Sequence, residues 1–180
     1  MKQNTTTKIT KRKSIDSSGY IDYKEKVAKV PKSVYIPKGF KLDNSIVPGA
    51  GLGVFAEHQL PSNCDLGFYK GKWVTPEEYD KSNKKMLYVW EILDYRGNKN
   101  RPKGEKFDRI KPIGYIDGEL KKDSNYLRYL NHPPDDAHEN VRAYQEKGKI
   151  RYVTTRPVMA GEELFVSYGP NYGKMLTGKK

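Results

Sequence analysis

The chain has 180 residues, a length typical of one domain with flexible tails. Hydrophobic residues make up 36% of it and tyrosines number 14, enough to close one core, so a mostly disordered chain is excluded. No segment approaches the roughly 18 consecutive apolar residues of a membrane span, and the first residues lack the apolar stretch of a secretory signal. We expect a soluble protein that has no membrane partner and is not secreted through a signal peptide.

The formal net charge of +12 is unevenly placed, because residues 1–32 hold nine Lys or Arg against three Asp or Glu. A segment this basic and this poor in apolar residues cannot bury enough surface to fold. We expect a basic flexible arm at 1–26, one domain at 27–173 and a basic tail at 174–180. The arm would favour nucleosomal DNA or another polyanion, or would only solubilise the chain. Lys11-Arg12-Lys13 could also serve as a weak nuclear-import signal.

Metal-ligating residues are sparse. Cys64 is the single cysteine, so it cannot form an internal disulfide, and the three histidines are scattered. We therefore expect no structural zinc site and no metal dependence.

Short segments rich in β-branched and aromatic residues predict strands at 54–56, 66–69, 87–92, 150–154 and 164–168. The segment 27–40, interrupted by Pro31 and Pro37, predicts short edge strands. A helix is predicted to begin at Thr75, which is followed by a proline and two acids, and 124–130 is a second helical candidate. Residues 94–111 read as a long polar loop. The fold class is therefore mostly β, with one or two short helices.

Three glycines mark the first motif, Gly49-Ala50-Gly51-Leu52-Gly53-Val54. Glycine permits positive φ and close approach of a ligand to the backbone. A dinucleotide-binding loop would need an apolar strand before the motif and a helix after it, but Pro48 precedes the motif and Pro61 interrupts the segment on its C-terminal side. A tight turn that leads into a strand remains the simple alternative.

The second motif is the segment 125–132, which reads Asn-Tyr-Leu-Arg-Tyr-Leu-Asn-His, and two prolines come directly after it. Proline after His132 disfavours helical geometry there, so Asn131 and His132 are expected where a short helix ends. Their polar groups can bind a ligand or merely build a turn. The third motif, 161–169, is a turn, an apolar strand and a closing Tyr168-Gly169.

In this order, the three motifs resemble the SET-domain family of protein-lysine methyltransferases across residues 47–172, most closely its PR-domain subgroup. Asn125, Arg128, Asn131 and His132 match the family's central motif at four spaced positions. The resemblance implies a β-rich α+β fold of several short curved sheets with a threaded, pseudoknot-like C-terminal segment. The chain lacks the cysteine-rich segment that comes after the tyrosine in another branch, and it has valine at 166 where that branch often has an aromatic residue.

The resemblance also implies transfer of a methyl group from S-adenosylmethionine to a lysine of a histone or other basic protein tail, in a nucleus, either the cell's own or a host's. The expected catalytic residues are Tyr168, Tyr152 and Tyr69. The expected donor-binding residues are Ala50, Gly51, Leu52, Gly53, Val54, Arg128, Asn131, His132 and Tyr168. The expected peptide-binding residues are Tyr88, Trp90 and Val166, where the strand around Trp90 would pair with the substrate as an added strand.

Simpler interpretations stand beside these roles. Tyr69 and Tyr152 could be ordinary core tyrosines of strands. The chain could be a catalytically silent SET-like module that only binds peptide, or a small basic nucleic-acid binder. A basic enzyme also repels a basic tail unless local acids, such as Glu77, Glu78 and Glu91, make the groove negative.

Overall fold

The computed structural model describes residues 29–31, 33–82, 88–94 and 112–169. The predicted arm at 1–26, the tail at 174–180 and all but the first residue of the predicted loop at 94–111 lie outside these ranges. The strands are β1 (Phe40–Asn44), β2 (Leu52–Ala56), β3 (Asp65–Phe68), β4 (Lys72–Val74), β5 (Val89–Leu93), β6 (Pro112–Asp117), β7 (Val141–Glu146) and β8 (Lys149–Thr154). One α-helix, α1, spans Pro76–Lys81, and short 3₁₀ helices span Tyr126–Tyr129 and Asp136–His138.

The strands form three small antiparallel sheets, ordered β1-β2, β3-β8-β7 and β4-β6-β5. The β7-β8 hairpin closes through Lys147 and Gly148, both at positive φ (49° and 76°). Two central residues at positive φ match the right-handed twist of the flanking strands, which fixes the pairing of Glu146 with Lys149. The β-rich fold class predicted from the sequence is confirmed.

One core joins the three sheets, the 3₁₀ helix at Tyr126–Tyr129 and the C-terminal segment. Its fully buried side chains include Val54, Ile92, Leu127, Val141, Tyr152, Val158 and Leu164. Each is apolar or aromatic and comes from a different part of the chain. Burial of such side chains contributes about 1.5–3 kcal/mol each, so the core fixes how the sheets meet.

The predicted helix start at Thr75 is confirmed. Thr75 accepts a hydrogen bond from the Glu78 backbone N–H (3.2 Å), and Glu78 accepts from the Thr75 N–H (3.0 Å), which is a complete capping box. The second candidate, 124–130, is helical only over Tyr126–Tyr129 and as a 3₁₀ turn. All four of its side chains are buried, and Leu130 then takes an extended backbone.

Two strand predictions were wrong. Residues 29–31 and 33–39 form no strand: Val34 and Phe40 donate to the carbonyls of Pro31 and Pro37, so the prolines initiate turns, and β1 begins only at Phe40. The segment 164–168 joins no continuous ladder. It makes isolated bridges, because its successive neighbours belong to separate segments.

The segment 161–168 passes between three other parts of the chain. Leu164 donates to Val54 in β2, Val166 donates to Asn131, and the carbonyl of Phe165 accepts from Val141 in β7. These contacts hold the segment on several sides, as the predicted threaded C-terminal segment requires. They also bring its closing tyrosine next to the first two motifs.

Candidate active site

The glycine motif forms an open turn that leads into a buried strand. Gly49 and Gly51 have φ of 79° and 80°, and Ser45 N–H donates to the Gly51 carbonyl (2.8 Å). A side chain built at either glycine would meet nothing within 4 Å, so the turn faces open space. Ala50 is exposed and Val54 is fully buried, so only the start of the motif offers its backbone to a ligand.

Asn131 joins the glycine motif to the C-terminal segment. Its Nδ2 donates to the carbonyl of Leu52 (3.0 Å) and to Oε1 of Glu163 (3.1 Å). Its own carbonyl accepts from Val166 N–H (3.0 Å). The Asn-His motif is therefore held against Leu52, the first residue of β2, and does not merely build a turn of its own.

Tyr168 lies beside His132. Its backbone N–H donates to Nδ1 of His132 (3.1 Å), and the two rings are 5.6 Å apart. Its hydroxyl donates to the carbonyl of Leu130 (2.5 Å). The closing tyrosine thus sits directly over the end of the 3₁₀ helix, adjacent to Asn131 and through it to the glycine turn.

Tyr69 and Tyr152 lie in the same region, with ring centroids 5.9 Å apart. Burial raises the pKa of the Tyr152 hydroxyl well above its usual range, and the neighbouring Tyr69 and Tyr168 raise it further. Burial likewise raises the pKa of Tyr69, although the charge of Arg128 opposes the shift. The three tyrosines predicted as catalytic therefore cluster, and at least Tyr69 and Tyr152 stay protonated at neutral pH.

The three tyrosine hydroxyls have different hydrogen-bonding roles, because two of them donate to backbone carbonyls and the third accepts. Tyr69 donates to the carbonyl of Tyr88 (2.8 Å) and Tyr168 donates to that of Leu130, so both present lone pairs to any further partner. Tyr152 instead accepts from Nε1 of Trp90 (2.8 Å) and keeps its own proton to donate. The cluster can accept hydrogen bonds at two oxygens and donate from a third.

Arg128 is buried, and its hydrogen bonds go to protein groups. Its Nε and Nη2 donate to the carbonyls of Gly118 (2.9 Å) and Glu119 (3.2 Å), and its guanidinium lies 4.2 Å from the ring centroid of Tyr88. These contacts support Tyr88, whose carbonyl holds Tyr69. Contact of Arg128 with the donor stays a prediction that no bond here supports.

The residues predicted to bind peptide are placed differently from one another. Trp90 lies on β5, an edge strand of its sheet, while Tyr88 is partly exposed just before that strand. Val166 is only 1% exposed and is bridged to Val141, so its side chain lies in the core wall. The edge strand is therefore the accessible part of the predicted peptide site.

A cleft of about 380 Å³ lies between α1 and the β4-β6-β5 sheet. Its described lining includes three acids, Glu78, Asp117 and Glu119, one cation, Lys72, and Tyr88. Of the acids proposed from sequence, Glu78 lines the cleft, and Glu91 raises the pKa of the nearby Tyr79 after the larger effect of burial. A negative surface adjoins Tyr88 in a chain that is strongly basic.

Sequence reasoning missed Glu163. This carboxylate is 2% exposed and accepts from Asn131 and from Ile46 N–H (2.8 Å). A signal was present, since Glu163 directly precedes the apolar run 164–166, and an acid beside buried positions needs hydrogen-bond donors.

Within the described ranges, no group of three or more His, Cys, Asp or Glu side chains is arranged to hold a metal ion. None of the helices in those ranges is long and apolar enough to cross a membrane.

Comparison with known proteins identifies relatives of this arrangement. The family model described as "PR domain zinc finger protein 2, PR domain" matches residues 40–179. Histone-lysine N-methyltransferase set-17 of Caenorhabditis elegans is 35% identical over 139 residues, 77% of this chain and 43% of that protein. Human histone-lysine N-methyltransferase PRDM7 is 34% identical over 142 residues, 78% of this chain and 25% of that protein. The chain thus spans less than half the length of these curated relatives.

The structure of the methyltransferase domain of human PR domain-containing protein 2 superposes with a TM-score of 0.60 at 22% identity, covering 94% of this chain and 96% of that one. The two chains share a fold. Because the family model matches well over half of the sequence, the resemblance seen in the three motifs is confirmed, and the chain belongs to the PR-domain family of SET-type proteins.

Proposed function

We propose that this chain is an S-adenosylmethionine-dependent protein-lysine methyltransferase acting on a basic tail such as that of a histone. One observation carries the proposal: Tyr69, Tyr152 and Tyr168 cluster at the point where Asn131 ties the glycine turn to the C-terminal segment. The relatives' names, histone-lysine N-methyltransferase, support the reaction class.

The donor site proposed here uses the turn and the Asn-His motif. The positive φ of Gly51 and the open space beside it leave its backbone accessible to the methionine part of the donor. The opposite wall of the proposed donor site is formed by Asn131, His132 and Tyr168. S-adenosylmethionine, when bound, supplies a methyl group on a positively charged sulfur.

The tyrosines have the task of orienting an uncharged amine. A free lysine has a pKa near 10.4, so deprotonating it at pH 7 costs about 4–5 kcal/mol. Burial among aromatic rings disfavours the ammonium and reduces that cost. The oxygens of Tyr69 and Tyr168, whose protons are engaged elsewhere, can accept the amine's N–H groups and turn its lone pair toward the methyl group.

The tail would approach along β5 and the acidic cleft. An edge strand offers unpaired backbone groups to an extended peptide, and Trp90 on this strand contacts Tyr152 directly. Glu78, Asp117 and Glu119 supply charge of the sign that a basic tail needs. The acids thus offset the repulsion expected from the chain's net charge of +12.

We further propose that 27–173 is the catalytic domain, that the basic arm at 1–26 contacts nucleosomal DNA and that the protein acts in a nucleus. The charge of the arm is the observation behind the last two proposals.

The decisive experiment incubates the full chain with radiolabelled S-adenosylmethionine and recombinant nucleosomes, and then maps the labelled residue. Tyr168→Phe should lose most activity, while Tyr144→Phe, at a half-exposed tyrosine of β7, should keep it. Donor binding without transfer to any protein would favour the silent binding module. No donor binding at all would overturn the proposal.

A further inference from the structure

Glu163 is a buried acid that contacts two of the segments proposed to bind the donor. It is 2% exposed, and within the described residues no Lys, Arg or His forms an ion pair with it. Its oxygens accept instead from Ile46 N–H, just before the glycine turn, and from Nδ2 of Asn131. Glu163 is therefore a carboxylate held by backbone and amide N–H groups, and replacing it leaves those buried donors without their acceptor.

The carboxylate packs directly on the glycine motif. A Cβ built at Gly53 would overlap the Glu163 carboxylate. The third glycine of the motif is therefore needed for space, whereas Gly49 and Gly51 are needed for their positive φ. Glu163 thereby sets how closely β2 approaches Asn131.

The contact also decides which way the Asn131 amide faces. Nδ2 carries two protons, and both point at acceptors, one at Leu52 and one at Glu163. The rotated amide would set its oxygen against the Leu52 carbonyl and the carboxylate, with no proton between them. Within the described residues, Oδ1 of Asn131 receives no hydrogen bond.

We propose that Glu163 is a positioning residue of the donor site, which locks the Asn131 amide so that Oδ1 is presented to an N–H group of S-adenosylmethionine. The inference rests on the proposed function. It adds a role for a residue that does not touch the donor, and it assigns Asn131 as an acceptor rather than a donor toward the ligand.

The test compares Glu163→Gln with Glu162→Gln in the full chain. Glu162 is the neighbouring acid of the same turn, and it accepts from Arg156, Met159 N–H and Asn140 but not from Asn131. Both substitutions remove a charge that accepts several hydrogen bonds, so both should lower the melting temperature. Only Glu163→Gln leaves the Asn131 amide free to turn.

We expect Glu163→Gln to raise the Kd for S-adenosylmethionine, measured by calorimetry, about tenfold to a hundredfold. The KM for the peptide should stay unchanged, and Glu162→Gln should bind the donor as the unaltered chain does. Equal Kd values for the two variants, measured where both are folded, would overturn the inference.

If Glu163→Gln does not fold, Glu163→Asp takes its place, because the shorter carboxylate cannot reach both Ile46 and Asn131. Unaltered donor affinity in that variant would also reject the role. Failure of the unaltered chain to bind the donor would instead reject the proposed function, so the two failures are distinguishable.

Discussion

The indole Nε1–H of Trp90 donates a 2.8 Å hydrogen bond to the hydroxyl oxygen of Tyr152. The rings meet edge to face, with centroids 5.9 Å apart. An edge strand of the β4-β6-β5 sheet is thereby tied to the most deeply buried of the three clustered tyrosines. Because the indole can only donate, Tyr152 must accept, and its own proton is left for another partner.

Trp90→Phe should keep most of the aromatic packing and remove only this donor. The Tyr152 hydroxyl would then be free to rotate, at a cost of about 1 kcal/mol. We expect kcat to fall by about fivefold, with a smaller change in the KM for peptide. The matched control is Trp73→Phe, at a half-exposed tryptophan of β4, which should leave kcat unchanged. A change in KM alone would mean that Trp90 serves only to bind peptide.

The raised pKa values of Tyr69 and Tyr152 predict how the rate depends on pH. Burial, the first cause in both cases, keeps these hydroxyls neutral up to alkaline pH. The rate should therefore track the deprotonation of the substrate lysine, so kcat/KM rises between pH 7 and 9. Tyr69→Phe should lower the whole profile without changing its slope. A slope that flattens in this variant would show that a tyrosinate acts as the base.

The acidic cleft predicts recognition of basic flanking residues. Glu119→Gln should raise the KM for a lysine- and arginine-rich peptide about twofold to fivefold at low salt, the range expected for one exposed ion pair. The effect should shrink at high salt because of screening. Glu57→Gln, at an exposed acid outside the described cleft lining, is the control. Equal KM values for the two variants would place the peptide elsewhere.

The three motifs that make up the candidate site could be recognised from the sequence, because each has a local signal. Glycines before an apolar strand, polar residues at a helix end before prolines and a strand closing in tyrosine are local signals, and the structure brings them together. The helix at Thr75 was also predictable, since its capping box lies within four residues.

Other features have weak local signals or depend on partners distant in sequence. Strands β4, β6 and β7 were not predicted. Strand β4 has only three residues, β6 contains proline and glycine, and β7 contains the charged residues Arg142 and Glu146. They exist because neighbouring strands complete their hydrogen bonds. The segment 164–168 has a strand's composition but no continuous partner. The contact of Glu163 with Ile46 spans 117 residues, so no local pattern shows it.

The lowered pKa of Glu162 predicts that the folded protein loses stability in acid. Burial raises its pKa, but hydrogen bonds from Arg156, Met159 N–H and Asn140 outweigh burial, and the pKa is lowered overall. A pKa below the unfolded value, near 4.3, contributes stability above that pH and loses it as pH falls through the folded value. Urea midpoints at pH 7 and pH 3 should therefore differ less for Glu162→Gln than for the unaltered chain. If the urea midpoint changed equally with pH in both proteins, Glu162 would not be the group responsible.

Tyr129 provides a test of the core that is independent of activity. Its hydroxyl is buried and has no hydrogen-bond partner in the described part of the chain, whereas the hydroxyl of Tyr126 donates to the Leu66 carbonyl (2.7 Å). Tyr129→Phe should be neutral or raise the free energy of unfolding by up to about 1 kcal/mol, because it removes an unsatisfied polar group. Tyr126→Phe should lower it by about 1–2 kcal/mol, since the Leu66 carbonyl loses its partner. Equal losses in urea unfolding would mean that a buried water satisfies the Tyr129 hydroxyl.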